Sequence, residues 1–195
     1  MNIHTLNIPS EFSSKRLFLR AYRPGDGALY LRMIRENWDH LYEFLPANLE
    51  TLQNEAGAEA VISWLNSEWK QRNLFLFGVW EKISGNYTGE AYLANPDWHV
   101  PSVELGYFVV QSCIGKGFAT EAARATLRYA FDQLQVGRVD LQCRADNEAS
   151  RRVTERCGFR LEGCQRLRHR MKSGALVDRL WYGLLRSEWR DDSET

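Results

Sequence analysis

Residues 103–134 are VELGYFVVQSCIGKGFATEAARATLRYAFDQL, and they join an apolar strand to a long helix through two closely spaced glycines. Glycines at such a junction leave backbone N–H groups uncovered at the helix N-terminus, where a phosphate is favoured. The alternative is a helix that needs glycine only in order to turn. The candidate phosphate-binding residues are Gly115, Lys116, Gly117, Phe118, Ala119 and Thr120.

The composition is that of an ordinary globular chain. Of its 195 residues, 44% are hydrophobic, and 25 Lys and Arg balance 25 Asp and Glu. This length and content favour one domain with a full core over residues 1–195. The balanced charge provides no basic field for nucleic acid or an anionic membrane surface. No apolar run approaches the roughly 20 residues of a membrane span, so we expect neither partner.

The cysteines and the N-terminal residues bear on the cellular compartment. The four cysteines form neither a CxxC pair nor a zinc-type spacing with histidine; they are Cys113, Cys143, Cys157 and Cys164. This pattern argues against a metal site and against a disulfide framework. No signal-peptide pattern opens the sequence. We therefore expect reduced thiols, no metal and a cytoplasmic protein.

Charges are unevenly distributed along the chain. No Lys or Arg occurs from Glu36 to Trp69, whereas the stretch from Arg144 to Lys172 is rich in arginine. Each single charge is best explained as part of a solvated surface. As blocks, however, the charges suggest that a cationic and an anionic ligand approach different sides of the protein.

Hydrophobic periodicity predicts an α+β fold. The segment SKRLFLRAYRP alternates from Arg16 to Ala21, which predicts a strand that Pro24 ends. A helix that Asp26 caps follows and ends near Glu36. The later predicted elements are a helix at Glu55–Gln71, strands at Leu74–Trp80, Tyr87–Ala94 and Ser102–Val110, the helix to Leu134, a strand at Arg138–Arg144, a short helix at Glu148–Cys157 and a hairpin that turns at Ser173-Gly174. Such an order predicts a mixed, mostly antiparallel sheet with helices on both faces.

Two common phosphate-binding motifs are excluded, since the spacing of a P-loop and the pattern GxGxxG are both absent. The run from Glu104 to Phe159 instead resembles the GNAT superfamily of acetyl-CoA-dependent N-acetyltransferases. Gly117 and Ala119 fill the small positions of its pyrophosphate loop, and Ile114 stands where Gln or Arg is usual. The segments ELGYFV, GKGFATEA and RADNEASRRVTERCGFRLEG narrow the resemblance to the RimJ/RimL-like branch, which includes N-terminal acetyltransferases of ribosomal proteins.

The resemblance implies a GNAT fold with a splayed central strand pair and a bound acetyl-CoA. Pantetheine would bond to backbone near Tyr107 and Val109, in the gap beside the strand Arg138–Arg144. Asn147, Ser150 and Arg152 would contact the cofactor, with Ser150 near its sulfur as the candidate acid. Without a ligand, Asn147 would be a helix cap and Ser150 a helix hydroxyl bonded to its own turn.

Glu104 and His169 are the two candidate general bases. Glu104 lies just before the predicted gap, although a strand carboxylate is often only a surface charge. His169 stands in the C-terminal hairpin, where the resemblance implies a catalytic carboxylate, and its ordinary pKa suits proton transfer near neutrality. It could equally be a surface histidine in an arginine-rich strand.

The acceptor is an amine whose identity the sequence leaves open. The segment NWDHLYEFLP resembles the part of the branch that lies over the acceptor, with Trp38, Tyr42 and Phe44 as candidate contacts for a cation. Packing between helices is the alternative for the aromatic residues, above all for Trp64 and Trp69. We predict acetylation of a protein N-terminus; the alternatives are a small cationic amine and a non-catalytic acyl-CoA-binding module. A homodimer is compatible with the sequence.

Overall fold

The computed structural model describes residues 6–43 and 52–191. Its elements are β1 (Glu11–Ser13), β2 (Leu17–Ala21), α1 (Gly27–Glu36), α2 (Trp38–Leu41), α3 (Glu55–Gln71), β3 (Phe75–Glu81), β4 (Tyr87–Asp97), β5 (Ser102–Val109), a 3-10 turn (Gln111–Cys113), α4 (Phe118–Asp132), β6 (Arg138–Arg144), α5 (Glu148–Arg156), β7 (Arg160–Arg170) and β8 (Leu176–Leu185). No helix of the described ranges is long and apolar enough to cross a membrane. The cytoplasmic location stays a prediction.

Eight strands form one mixed sheet in the order β1-β2-β3-β4-β5-β6-β8-β7. Every neighbouring pair is antiparallel except β5 and β6, which run parallel because α4 carries the chain across between them. The sheet remains open, with β1 at one edge and β7 at the other. The predicted α+β class and the mostly antiparallel sheet are therefore confirmed.

Helices cover both faces of the sheet. Phe77 and Glu90 are offset by one residue in the β3–β4 ladder, so their side chains lie on opposite faces. The Phe77 ring contacts Tyr129 of α4, with ring centroids 5.0 Å apart. Glu90 accepts a hydrogen bond from Tyr22, whose ring packs on Tyr30 of α1. We call the two sides the α4 face and the α1 face.

Small side chains allow α4 to pack closely on the sheet. Ala122, Ala123, Ala125 and Ala130 are buried, and so are the larger Leu127, Tyr129 and Phe131. Alanine loses no side-chain entropy in a helix and keeps the backbone near the strands beneath. This packing fixes the direction in which the N-terminus of α4 points.

Two sequence-based expectations about packing need correction. Trp64 was expected in the core, but 52% of it is exposed. It lies about a quarter turn around α3 from Leu65, outside the stripe that contains Ile62 and Leu65. Trp69 does lie in that stripe and packs on Phe75. Asp26 also differs: it stands at the N-cap position of α1, but its carboxylate binds Arg20 and makes no capping hydrogen bond to the helix.

Glu90 is a buried carboxyl group in the middle of the α1 face. Tyr22 donates a hydrogen bond of 2.7 Å to it, and the hydroxyls of Tyr22 and Tyr87 are 2.9 Å apart. Burial raises the pKa of Glu90 to about 7, although the two tyrosine hydroxyls oppose the shift. The folded protein therefore holds this proton at pH values where the unfolded chain releases it.

This shift makes stability depend on pH. Since the pKa of Glu90 is raised from 4.5 to about 7 on folding, its contribution to stability is present in full below pH 4.5 and is lost as the pH rises to about 7. The loss is at most roughly 3 kcal/mol. Glu90→Gln should flatten the pH dependence of the unfolding free energy, measured by urea titration across this range. Equal slopes for the variant and the wild type would contradict the assignment.

Candidate functional site

The central strands β5 and β6 separate soon after they meet. Their parallel pairing consists of three residue pairs and ends at Glu104 opposite Asp140. Beyond that point β6 stays paired with β8 as far as Arg144. β5 meanwhile stays paired with β4 as far as Val109. A wedge-shaped gap therefore opens between β5 and β6, as the predicted splay requires.

The β5 edge of this gap presents backbone hydrogen-bonding groups. Val110 donates its N–H to the carbonyl of Thr88, so the even-numbered residues of β5 pair with β4. Tyr107 and Val109 are consequently turned the other way, with their N–H and C=O groups toward the gap. The Val109 carbonyl already accepts a hydrogen bond of 3.1 Å from Nε2 of His40. An extended ligand in the gap would still find the remaining groups of this edge.

The glycine turn has the shape that an anion site needs. Gly115 and Gly117 both have φ of 79°, the left-handed region that favours glycine. The first hydrogen bond across the start of α4 runs from Glu121 N–H to the Gly117 carbonyl. The N–H groups of Phe118, Ala119 and Thr120 are therefore the ones left at the helix N-terminus, where they and the helix dipole favour a phosphate.

Arg16, in the N-terminal part of the chain, contacts this turn and the first turn of α4. Its Nε lies 2.6 Å from the Glu121 carboxylate, and Nη1 donates a hydrogen bond of 3.1 Å to the Lys116 carbonyl. The guanidinium also stacks on the Phe118 ring, 4.5 Å from its centroid. No local pattern marks Arg16 for this role, since it lies just before β2 and about 100 residues from the turn.

Tyr107 and Ser150 meet on the α4 face of the gap. The Tyr107 hydroxyl lies 3.3 Å from Oγ and 3.3 Å from the carbonyl oxygen of Ser150. Burial raises the pKa of Tyr107 to about 12, so its hydroxyl keeps its proton at neutral pH. Asn147 caps α5 by accepting a hydrogen bond from Ser150 N–H, as its cap alternative predicts. Two hydroxyl groups are thus placed side by side at the gap.

Glu104 lies on the α1 face, at the point where the two strands part. Its carboxylate accepts hydrogen bonds from Nδ2 of Asn95 at 3.0 Å and from Nε2 of Gln142 at 3.2 Å. Both partners are neutral amides, and no cation among the described residues pairs with the carboxylate. The ring of Tyr92 lies across Gly106, where a Cβ atom would fall 2.0 Å from Cζ. Burial, with the charge of Glu104 as the next cause, raises the pKa of Tyr92.

His169 shares the α1 face with Glu104 but stands far across the sheet. The strand order puts β6 and β8 between them, which is roughly 14 Å for three strand spacings. Burial, together with the positive charges of Arg179 and Arg144, lowers the pKa of His169. Its imidazole is therefore neutral at pH 7. One acceptor amine cannot contact both candidate bases directly.

The candidate acceptor residues lie at α2. The rings of Trp38 and Tyr42 are 5.5 Å apart. The Lys172 ammonium lies 4.0 Å from the Tyr42 centroid and 5.8 Å from that of Trp38, and Lys172 N–H binds the Glu43 carboxylate. The Lys172 ammonium of the protein itself therefore lies against the two rings that were candidates for binding a cationic acceptor. Phe44 lies outside the described residues.

The remaining candidates lie at the surface. Lys116 and Arg152 are exposed. Arg152 pairs with Glu148 one turn earlier in α5, at 3.2 Å. Over residues 6–43 and 52–191, no group of three His, Cys, Asp or Glu side chains is placed to hold a metal ion. The structure thus brings the backbone groups and the two hydroxyl groups together at the gap, whereas the cationic side chains of Lys116 and Arg152 lie at the surface.

Comparison with known proteins identifies the family. Residues 16–160 match the acetyltransferase (GNAT) domain, Acetyltransf_3. YdaF of Bacillus subtilis (strain 168), assigned as a ribosomal N-acetyltransferase, is 28% identical over 92% of this chain and 96% of its own. The [ribosomal protein uS5]-alanine N-acetyltransferase of Escherichia coli (strain K12) is 26% identical, over 90% and 88%.

A solved structure agrees with this result. Mycobacterium smegmatis RimJ in complex with CoA-disulfide is 25% identical and superposes with a TM-score of 0.79, over 91% of this chain and 85% of that one. The splayed strands and the glycine turn described above are the features that the resemblance implied, and the family match covers both. The chain therefore belongs to the GNAT family and is an acetyl-CoA-dependent N-acetyltransferase whose relatives include acetyltransferases named for ribosomal proteins.

Proposed function

We propose that the acceptor is the N-terminal α-amine of a protein. Two relatives that match about nine-tenths of this chain are named for ribosomal substrates, and one of them is named for an alanine of uS5. The observation that carries the proposal is the position of Glu104 at the mouth of the gap. It lies on the α1 face, opposite the face on which Tyr107 meets Ser150. Acceptor and acetyl-CoA can therefore approach from different sides.

Acetyl-CoA would lie along the gap, and the residues present suit it. The N–H groups of Phe118, Ala119 and Thr120 would bind its pyrophosphate, held in place by the left-handed glycines and by Arg16. Ile114 is 54% exposed beside this turn and offers no polar group, but backbone N–H groups are independent of side-chain identity. The β5 edge at Tyr107 and Val109 would bond the pantetheine amides.

The chemistry requires a neutral amine, a donor for the developing oxyanion and a proton for the departing thiolate. Glu104, held by two neutral amides, would take the ammonium proton directly or through one water. An unpaired backbone N–H of the β5 edge would donate to the oxyanion. Ser150, with the neutral Tyr107 hydroxyl 3.3 Å away, would supply the thiol-side proton. Direct attack of the amine then needs no covalent intermediate on the protein.

A panel of acceptors tests the proposal. We expect kcat/KM for short peptides with a free α-amine to exceed that for the same peptides with a blocked N-terminus and an internal lysine by about 100-fold or more, because a positioned acceptor gains from orientation. Polyamines and aminoglycosides should also be poor acceptors. Release of free CoA thiol measures all rates. Equal or faster turnover of the small amines would overturn the proposal, as would acetyl-CoA binding without turnover of any peptide.

The pH profile separates the two candidate bases. Glu104→Gln should lower kcat about 100-fold near pH 7 and leave acetyl-CoA affinity unchanged, because the base acts on the acceptor. The loss should shrink above the ordinary α-amine pKa of about 7.7 to 8.0, where the amine deprotonates unaided. His169→Gln should have a smaller effect, since His169 lies three strand spacings away.

The control is Glu81→Gln, which changes a carboxylate at the far end of β3. Wild-type turnover in Glu104→Gln across the whole pH range would remove Glu104 from the mechanism. A loss confined to His169→Gln would assign the base to β7 instead.

A further inference from the structure

Arg179 carries a charge on the α1 face for which the described residues offer no partner. It lies in β8 directly opposite Arg144 of β6. Its Nε is buried and bonds to no other group, and its two Nη atoms are not among the buried ones. A buried donor without a partner loses its hydrogen bond to water and gains none in return. No described side chain compensates the Arg179 charge, and its open Nη atoms can bind an anion from outside.

Trp181 adds a second donor beside it. It follows Arg179 by two residues on β8, so both side chains lie on the same face. Its indole Nε1 is also buried and has no hydrogen-bond partner in the part of the chain that the structure describes. Arginine and tryptophan side chains can only donate hydrogen bonds. A ligand that binds this pair must therefore offer acceptors, and the positive charge favours an anionic ligand.

Three carboxylates of the surrounding segments are already engaged elsewhere. Asp146 lies 2.9 Å from Nε of Arg144 and forms an ion pair with it. Glu43 accepts a hydrogen bond from the backbone N–H of Lys172, and its charge acts on His169. Asp178 points to the other side of β8 and accepts from Leu167 N–H. The hairpin side of the α1 face thus carries an excess of positive charge, which would act on parts of the acceptor other than its reacting amine.

The pair lies within reach of the reacting groups. Gln142, which binds the Glu104 carboxylate at 3.2 Å, faces Trp181 across the β6–β8 ladder. Arg179 is the diagonal neighbour of Gln142 in this ladder, and diagonal neighbours on one face are about 7–8 Å apart. The charges of Glu104 and Arg179 both act on the Tyr92 hydroxyl. Gln142 thus lies between the two groups, so an amine at Glu104 and an anion at Arg179 would occupy the same face of the sheet.

We propose that Arg179 selects acceptors that carry a carboxylate close to the reacting amine, as an aspartate in the second position of a peptide does. The two Nη atoms would bind the carboxylate end-on, and Trp181 would lie beside them on the same face of β8. This proposal rests on the proposed function, in which the acceptor is a peptide N-terminus. It specifies the side chain of the second residue of that peptide. Lys172 and Arg144 would add to the positive potential around the carboxylate without contacting it.

Matched acceptors test this selectivity. The peptides Ala-Asp-Ala-Ala and Ala-Asn-Ala-Ala differ only in the charge of the second side chain. We expect the wild-type protein to prefer the aspartate peptide by about 10- to 100-fold in kcat/KM, the range of a charge-assisted hydrogen bond. Arg179→Gln should abolish the preference and leave acetyl-CoA affinity unchanged. Arg32→Gln, an exposed arginine of α1, should keep the full preference.

The small amines 6-aminohexanoate and 6-aminohexanamide separate this proposal from the one it rests on, since they place the carboxyl carbon as many bonds from the amine as the peptide pair does. If they replace the peptides as substrates and the acid is preferred through Arg179, the anion site stands and the peptide proposal fails. Equal rates for acid and amide in both pairs would overturn the anion site, and so would a preference that survives Arg179→Gln.

Discussion

Three parallel residue pairs between β5 and β6 are the constraint on which the site depends. Longer pairing would use the backbone groups of Tyr107 and Val109 in the sheet and would close the gap. No pairing at all would separate the half of the sheet that carries Glu104 from the half that carries Arg179. The short contact keeps one continuous sheet and still leaves part of an inner strand edge unpaired. Unpaired inner edges are costly unless a ligand satisfies them, which is what an extended amide chain does.

The glycine turn has a fixed position relative to the gap because it joins β5, which borders the gap, to α4. β5 ends at Val109, the 3-10 turn follows at once, and α4 begins at Phe118. Arg16 fixes the start of α4 through Glu121 and the Lys116 carbonyl. The ion pair is partly exposed, so its net contribution to stability is small. The role of this ion pair is to position the start of α4, because it holds the open N–H groups at a constant distance from the β5 edge.

Local patterns in the sequence predicted most of the fold. Hydrophobic periodicity predicted the helix Glu55–Gln71 and the strand Arg138–Arg144 with the observed bounds. In each range the apolar residues recur at the spacing of that kind of element. Trp64 was misjudged because its aromatic character was weighed above its angular position on α3. The GNAT family and its acetyl-CoA dependence were also predicted, through several spaced motifs that coincide in order.

The contacts that define the site were beyond such patterns. Asn95 and Gln142 reach Glu104 from two other strands, and His40 reaches the Val109 carbonyl from α2. Nothing in the local sequence marks these pairs, because each depends on strand register. The basic side chains of the hairpin show the same limit: the charge blocks along the sequence indicate no position in the sheet, whereas the register places Arg179 on the α1 face, diagonal to Gln142.

A crystal structure of the protein with acetyl-CoA tests the central claim most directly. The account predicts that the pantetheine amides bond to the backbone of Tyr107 or Val109 in the gap, with the pyrophosphate on the N–H groups of Phe118, Ala119 and Thr120. The sulfur should then lie within hydrogen-bonding distance of the Ser150 hydroxyl. A pantetheine that lies outside the gap, or a pyrophosphate held only by side chains, would contradict it.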